Sequence, residues 1–356
     1  MPLEIQKYLE YTISHNASDL HLMVGALPVV RIDGDLRPVS GEDILTSERV
    51  EALIFDMTSP EQKDLLLTNK EVDFSFALGE VARFRVNAFY EKGYLAAALR
   101  LIPMKIRTTE ELNLPPIVGR FADLPQGMVL VTGPTGQGKS TTLAALINQI
   151  NETRSAHILT IEDPIEYVYP VKRALIAQRE LHLDTHSWDI ALRSALREDP
   201  DVVLIGEMRD YETISSALTI AETGHLVFAT LHTNSASQTI DRIIDVFPEH
   251  QQAQVRQQLA SILEGVVSQR LIPAIEGGRV PAVEIMTANS AVRSTIRDGK
   301  THLLDNIIQT SAAQGMILLE TSLAALIKQG KISYETALAH TLRTDELNRL
   351  VKGTAR

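Results

Sequence analysis

The sequence predicts an α/β protein: a small N-terminal α/β domain, a larger domain on a mostly parallel sheet, and a helical C-terminal tail. Three observations predict this. The chain has 356 residues, enough for two domains. Between Met128 and Thr287, short apolar runs alternate with helical stretches, the pattern of strands buried on both faces. One of those runs leads directly into Gly133-Pro134-Thr135-Gly136-Gln137-Gly138-Lys139-Ser140, a phosphate-binding loop that opens the next helix.

In the first domain, residues 1–103, Leu3 to His15 has helical spacing. Asp19–Val24 and Val29–Ile32 read as short strands, broken by Gly25 and Pro28 and ended by Asp33-Gly34. Helical segments follow near Ser47–Asp56 and Pro60–Thr68. Three strand-like runs, Glu71–Leu78, Val81–Glu91 and Tyr94–Ile102, are punctuated by Gly79-Glu80 and Lys92-Gly93 as hairpin turns. In the second run Phe84, Val86 and Ala88 alternate with Arg83, Arg85 and Asn87, so the arginines share one face. Residues 104–126 read as a linker, with Pro103, Pro115, Pro116 and Pro125 interrupting regular structure. The core, 127–289, holds the runs Met128–Thr132, His157–Ile161, Val202–Ile205, His225–Leu231 and Val280–Thr287, and 290–356 reads as helices only.

Composition narrows the function. The net charge of −11 disfavours a nucleic-acid partner, because phosphate contacts need clustered Lys and Arg. There is no cysteine, hence no disulfide and no thiolate metal site. No apolar run approaches the ~18 residues of a membrane span, and Met1-Pro2-Leu3-Glu4 does not open a secretion signal. A cytoplasmic protein is expected.

The full G-x-x-x-x-G-K-[ST] pattern, between strand and helix, predicts ATP binding through Gly133 to Ser140, with Thr141 behind them. Glycines let successive N–H groups turn inward, Lys139 reaches the β and γ phosphates, and the Ser140 hydroxyl ligates Mg²⁺. Hydrolysis also needs groups at the carboxyl ends of neighbouring strands. Glu162 and Glu207 stand at two such ends, while Asp201 opens its strand and is at the wrong end. Either glutamate can hold Mg²⁺ through water or polarise the attacking water, and the residues alone do not divide these roles.

His225 and His232 bracket the next strand; His232, at the carboxyl end, is the stronger candidate for the γ-phosphate region. His182 and His186 flank Asp184-Thr185, a turn, and read as structural. Arg83, Arg85 and Arg100 lie outside the nucleotide domain, where the ordinary use of alternating arginines is a solvated face. Arg193, Arg197 and Arg209 are either further candidates or ion-pair partners.

Together these motifs resemble the secretion-ATPase superfamily, specifically the PilT-type retraction ATPases of type IV pili. Ser18-Asp19-Leu20-His21-Leu22 and Val30 to Gly34 are similar to the family's opening segment, and Arg83 to Asn87 to its arginine strand. Thr160 to Glu166 resembles its Asp box, Leu196 to Asp210 its Walker B region, and Thr223-Gly224-His225 through His232-Thr233 its His box. Thr295-Ile296-Arg297-Asp298-Gly299-Lys300 resembles the AIRAGE-type motif, departing at the first, fourth and sixth positions. Assembly ATPases commonly carry extra N-terminal domains and a four-cysteine zinc module, and neither is seen here.

The resemblance implies a PAS-like N-terminal domain, a RecA-like ATPase domain and a homohexamer hydrolysing ATP with Mg²⁺. It implies work at the cytoplasmic face of the inner membrane on a pilus platform protein, with a paralogous retraction ATPase as a further candidate partner. It makes Arg83, Arg85 and Arg100 candidates for stabilising phosphate charge in trans. The readings left beside it are a pilus-assembly or type II secretion ATPase, a nucleic-acid translocase on the same core, and a nucleotide-binding regulator.

Overall fold

Two β-sheets organise the chain in the computed structural model, which describes residues 4–32, 34–79, 81–102 and 105–352. Leu3, Asp33, Glu80 and Pro103, used above as element ends or breaks, lie outside the described residues. The chain divides into two compact units, Met1–Lys105 with Pro164–Val168, and Ile106–Asp163 with Tyr169–Arg356.

In the first unit, strands β1 (Asp19–Met23), β2 (Val29–Ile32), β3 (Asp35–Pro38), β4 (Glu71–Leu78), β5 (Ala82–Glu91) and β6 (Tyr94–Ile102) form a sheet in the order β3-β2-β1-β6-β5-β4. Every neighbouring pair is antiparallel. Lys92 and Gly93 both take positive φ, 51° and 86°, as the tight turn between two twisted strands requires. Strand β3, exposed along its length, carries no apolar alternation and was not foreseen.

Helices α1 (Gln6–Ser14), α2 (Ser47–Phe55) and α3 (Pro60–Asn69) cover one face of this sheet. Tyr8, Leu9, Leu53, Ile54 and Leu66 meet Phe84, Val86 and Leu99 in its core. Thr46 caps α2, and Ser59 with Gln62 forms a capping box before Pro60, so both helix starts are set locally. The other face carries Arg83, Arg85 and Asn87, the split that the period of two predicts.

The stretch expected as a linker is packed in the second unit. Helix α4 (Pro116–Gly119) and a 3₁₀ turn, Arg120–Asp123, bury Val118 and Phe121. Arg154 donates to the carbonyls of Ala122 and Leu124 at 3.1 and 2.9 Å. Pro115 and Pro116 start this helix instead of breaking one.

The second unit holds β7 (Gly127–Thr132), β8 (His157–Glu162), β9 (Leu175–Glu180), β10 (Val202–Ile205), β11 (Leu226–Leu231), β12 (Leu263–Pro273) and β13 (Arg279–Thr287). Their order is β13-β12-β7-β11-β10-β8-β9, parallel throughout except for β13. Strands β7, β10 and β11 are buried at every residue, which explains their unbroken apolar runs. Around them lie α5 (Lys139–Thr153), α6 (Trp188–Ala195), α7 (Tyr211–Glu222), α8 (Ala236–Asp245), α9 (Glu249–Ile262) and α10 (Ser290–Arg297).

Two strands of this unit escaped prediction. The half-exposed edge strand β9 is polar at Gln178 and Arg179, and β12 continues from α9 with no Gly or Pro between them. Helices α11 (Leu304–Thr310), α12 (Leu319–Lys328), α13 (Tyr334–His340) and α14 (Thr344–Lys352) complete the unit. Leu319, Leu323, Ala337 and Leu347 pack there on Ile272 and Ala282 of the β12–β13 pair.

Candidate nucleotide site

Strand β7 runs buried into the phosphate loop, and α5 begins at Lys139 immediately after it. Gly133 has φ 141°, and a Cβ there would lie 2.3 Å from the Gln269 carbonyl oxygen on β12, so only glycine lets the loop leave the strand. Gly138 caps α5 with no side-chain hydrogen bond, which leaves the helix's first N–H groups facing the loop. Lys139 is buried, and its ammonium donates to the carbonyls of Gly133 and Pro134 at 2.8 and 3.0 Å. The donor set of backbone N–H groups, one lysine and the Ser140 hydroxyl fits a magnesium-bound triphosphate.

Beside the loop, the carboxyl ends of β8, β10 and β11 bring Glu162, Glu207 and His232 into a row that ends at β7. His232 bridges the row to the loop. Its Nε2 lies 3.3 Å from Glu207 Oε2, and its Nδ1 lies 3.5 Å from the Thr135 hydroxyl. A neutral ring that donates from Nε2 and accepts at Nδ1 satisfies both contacts. Arg209 holds the other Glu207 oxygen at 2.5 Å, so this arginine is the ion-pair partner that the sequence left open. The Thr230 hydroxyl, bonded to the Gly206 carbonyl at 2.6 Å, pins the turn that carries Glu207.

Glu162 is farther off. At about 4.8 Å per strand, its strand lies some 14 Å from β7, against about 10 Å for β10. Its buried carboxylate accepts from Thr160 at 2.7 Å and from Gln178 of the outer strand at 3.4 Å. Of the two glutamates, Glu207 is the one joined by His232 to the loop.

His225 is not brought to the loop. It precedes β11 beside Gly127, and its carbonyl accepts the Gly127 N–H at 3.0 Å, a full strand from Gly133. Its Nδ1 meets the Ile220 carbonyl at 3.0 Å, at the end of α7, a structural use of the ring. Asp201 likewise serves the far end, accepting the His157 N–H at 2.8 Å. His182, at φ 65°, turns toward Thr185, and no group of three metal-ligating side chains occurs among the described residues.

Arg83, Arg85 and Arg100 sit in the first unit, on one face of its sheet. Arg85 is directly opposite Arg100 across the β5–β6 pair, and Arg83 is opposite Ile102. Arg100 donates to Asp19 Oδ1 at 2.9 Å. Burial raises the Asp19 carboxyl, but hydrogen bonds from Ser18 and Arg100 outweigh it and leave the group below the usual carboxylate range.

One residue of the site escaped the sequence altogether. Gln269, on the unforeseen β12, donates from Nε2 to the Gln137 carbonyl at 2.7 Å and accepts the Thr142 hydroxyl at 2.7 Å. Its signal was the β-branched run around Val266-Val267, which a helix-to-strand transition without a turn residue concealed.

The family profile described as "Type II/IV secretion system protein" matches residues 2–354. The chain belongs to this family. It is 50% identical over 335 residues to the "Type IV pilus retractation ATPase PilT" of Pseudomonas aeruginosa, covering 94% of this chain and 97% of that protein. It is also 50% identical to a "Twitching motility protein" of Neisseria gonorrhoeae, covering 90% of this chain and 86% of that one. A crystal structure of the pilus retraction motor PilT with bound ADP superposes with a TM-score of 0.91 at 47% identity, covering 98% and 99% of the two chains. The two-sheet α/β architecture is therefore that of a secretion-family ATPase.

Proposed function

We propose that this chain is a motor ATPase that hydrolyses ATP to drive retraction of a type IV pilus. The observation that carries the reading is the line from Thr135 through His232 to Glu207, which joins the phosphate loop to a carboxylate at a neighbouring strand end. Half-identity to a pilus retraction ATPase along nearly its whole length supports retraction over assembly or secretion.

On this reading Lys139 exchanges its loop carbonyls for phosphate oxygens when nucleotide enters. Glu207, oriented by Arg209 and His232, accepts a proton from the attacking water. Mg²⁺, held by Ser140 and through water by Glu207, would supply charge neutralisation at the phosphates. Glu162 orders the strand end beside Glu207. Arg83, Arg85 and Arg100 are candidates to meet developing phosphate charge from a neighbouring subunit of a homohexamer. A platform protein at the cytoplasmic face of the inner membrane is the partner on which the motor would act, with a paralogous retraction ATPase as a further partner.

The test is turnover by the purified protein with ATP and magnesium, compared with Lys139→Ala and Glu207→Ala. Both variants should lose hydrolysis, and Glu207→Ala should keep nucleotide binding. Deletion of the gene should give excess surface pili and lost surface motility. A bald cell would point to assembly, and wild-type protein without turnover would end the enzymatic reading.

A further inference from the structure

Behind the His232 turn lies a buried charge cluster that nucleotide chemistry does not use. Glu284, in the middle of β13, is 1% exposed. Its Oε1 accepts the Ala236 N–H at 2.8 Å, at the first residue of α8. Its Oε2 makes no hydrogen bond among the described residues and faces Arg343 Nη1 at 3.7 Å. Arg343, between α13 and α14, is shared by two more acids, Glu320 of α12 at 2.8 Å and Asp305 of α11 at 2.5 Å. Glu320, fully buried, also accepts the backbone N–H groups of Leu342 and Arg343. Arg270 of β12, half-buried, adds a second cation, donating to the His340 carbonyl at 2.9 Å.

The position of Glu284 decides what it does. Strand β11 ends at Leu231, His232 follows, and α8 begins at Ala236. The Thr233–Ser235 turn is therefore held at one end by the sheet and at the other by the start of α8. There Ser235 caps the helix with its side chain, and Glu284 takes the Ala236 N–H. An anion at a helix start is held by the unpaired N–H groups and the helix dipole. A carboxylate buried this deeply is costly unless paired, and a neutral side chain of similar volume would serve packing as well.

We propose that Glu284 is a positioning residue for ATP hydrolysis, fixing the His232 turn against the phosphate loop, and that Arg343 ties this anchor to the C-terminal helices. Displacing those helices withdraws Arg343, strands the Glu284 charge and loosens the turn that presents His232 to Thr135 and Glu207. The catalytic part rests on the ATPase reading above; the anchoring part does not.

The test compares Glu284→Gln, which keeps an acceptor for Ala236, with Glu284→Met, which does not, in the full-length protein. Glu284→Met should lower kcat about tenfold, the scale of a lost hydrogen bond to a charged group, and leave the affinity for a fluorescent ADP within about twofold. Glu284→Gln should keep most of the turnover. Independently of turnover, hydrogen exchange at residues 233–237 should quicken in Glu284→Met and in Arg343→Gln but stay slow in Glu284→Gln, with β7 and β11 protected in all three. Equal behaviour of Glu284→Met and Glu284→Gln overturns the proposal, as does loss of protection throughout the unit. Unchanged exchange at 233–237 in Arg343→Gln overturns the link to the C-terminal helices. Wild-type protein that does not hydrolyse ATP sinks the enzymatic reading alone, because the exchange comparison still decides the anchor.

Discussion

Gln269 clasps Gln137 of the phosphate loop to β12. The Gln269 amide donates to the Gln137 carbonyl at 2.7 Å, while the Gln137 side-chain oxygen accepts the Leu271 N–H at 2.6 Å. The tip of the phosphate loop is thereby stitched to β12, and Thr142 on the first turn of α5 joins the same side chain. Loop shape is thus set by a neighbouring strand as much as by the glycines.

Removing the clasp should show in nucleotide affinity before it shows in folding. Gln269→Leu leaves the Gln137 carbonyl and the buried Thr142 hydroxyl without this partner, at a cost of about 1–3 kcal/mol. ADP affinity should fall about tenfold on that scale, measured by calorimetry, while the circular dichroism spectrum stays unchanged. Unaltered affinity would show that the loop keeps its shape unaided.

Gly133→Ala should be far more damaging than its size suggests. The added methyl would lie 2.3 Å from a backbone oxygen of β12, at a φ of 141° that side chains rarely adopt. Since neither strand can yield cheaply, several kcal/mol of stability should be lost, seen as a lowered melting temperature. Gly136→Ala provides the contrast, because its Cβ would meet nothing within 4 Å and only the φ of 76° is strained.

The two histidines should separate cleanly. His232→Ala should cut turnover at saturating ATP by one to two orders of magnitude, up to the roughly hundredfold cost of misplacing a catalytic group. His225→Ala removes the contact with Ile220 at the end of α7 and should cost about 1 kcal/mol of stability with turnover little changed. A large kcat effect of His225→Ala would reverse this assignment.

Burial pushes the Glu284 carboxyl above the usual range, against the pull of the Ala236 N–H and Arg343. A carboxyl raised on folding costs stability while ionised: in full above its folded pKa, and not at all below the ordinary carboxylate value of about 4.3. Glu284→Gln should therefore melt higher than wild type at about pH 8, and the gain should fade toward about pH 4. A difference in melting temperature that is constant across this range would contradict the linkage.

Much of this molecule is legible in single segments. The Lys92-Gly93 hairpin, the capped helices at Thr46 and Ser59, the buried apolar strands and the Gly133–Ser140 loop each depend on neighbours within a few residues, and short-range sterics and hydrogen bonding write those directly into the order of residues. What only the tertiary structure decided are contacts between distant parts of the chain. Gln269 meets Gln137 across 132 residues, Glu284 meets Ala236 across 48, and His232 meets Glu207 across 25. These pairings are chosen by strand order and burial, quantities that belong to the packed sheet and leave no periodic mark along any one segment. The same holds for the two glutamates, alike in sequence as acids after a strand, which differ only because β10 lies nearer to β7 than β8 does.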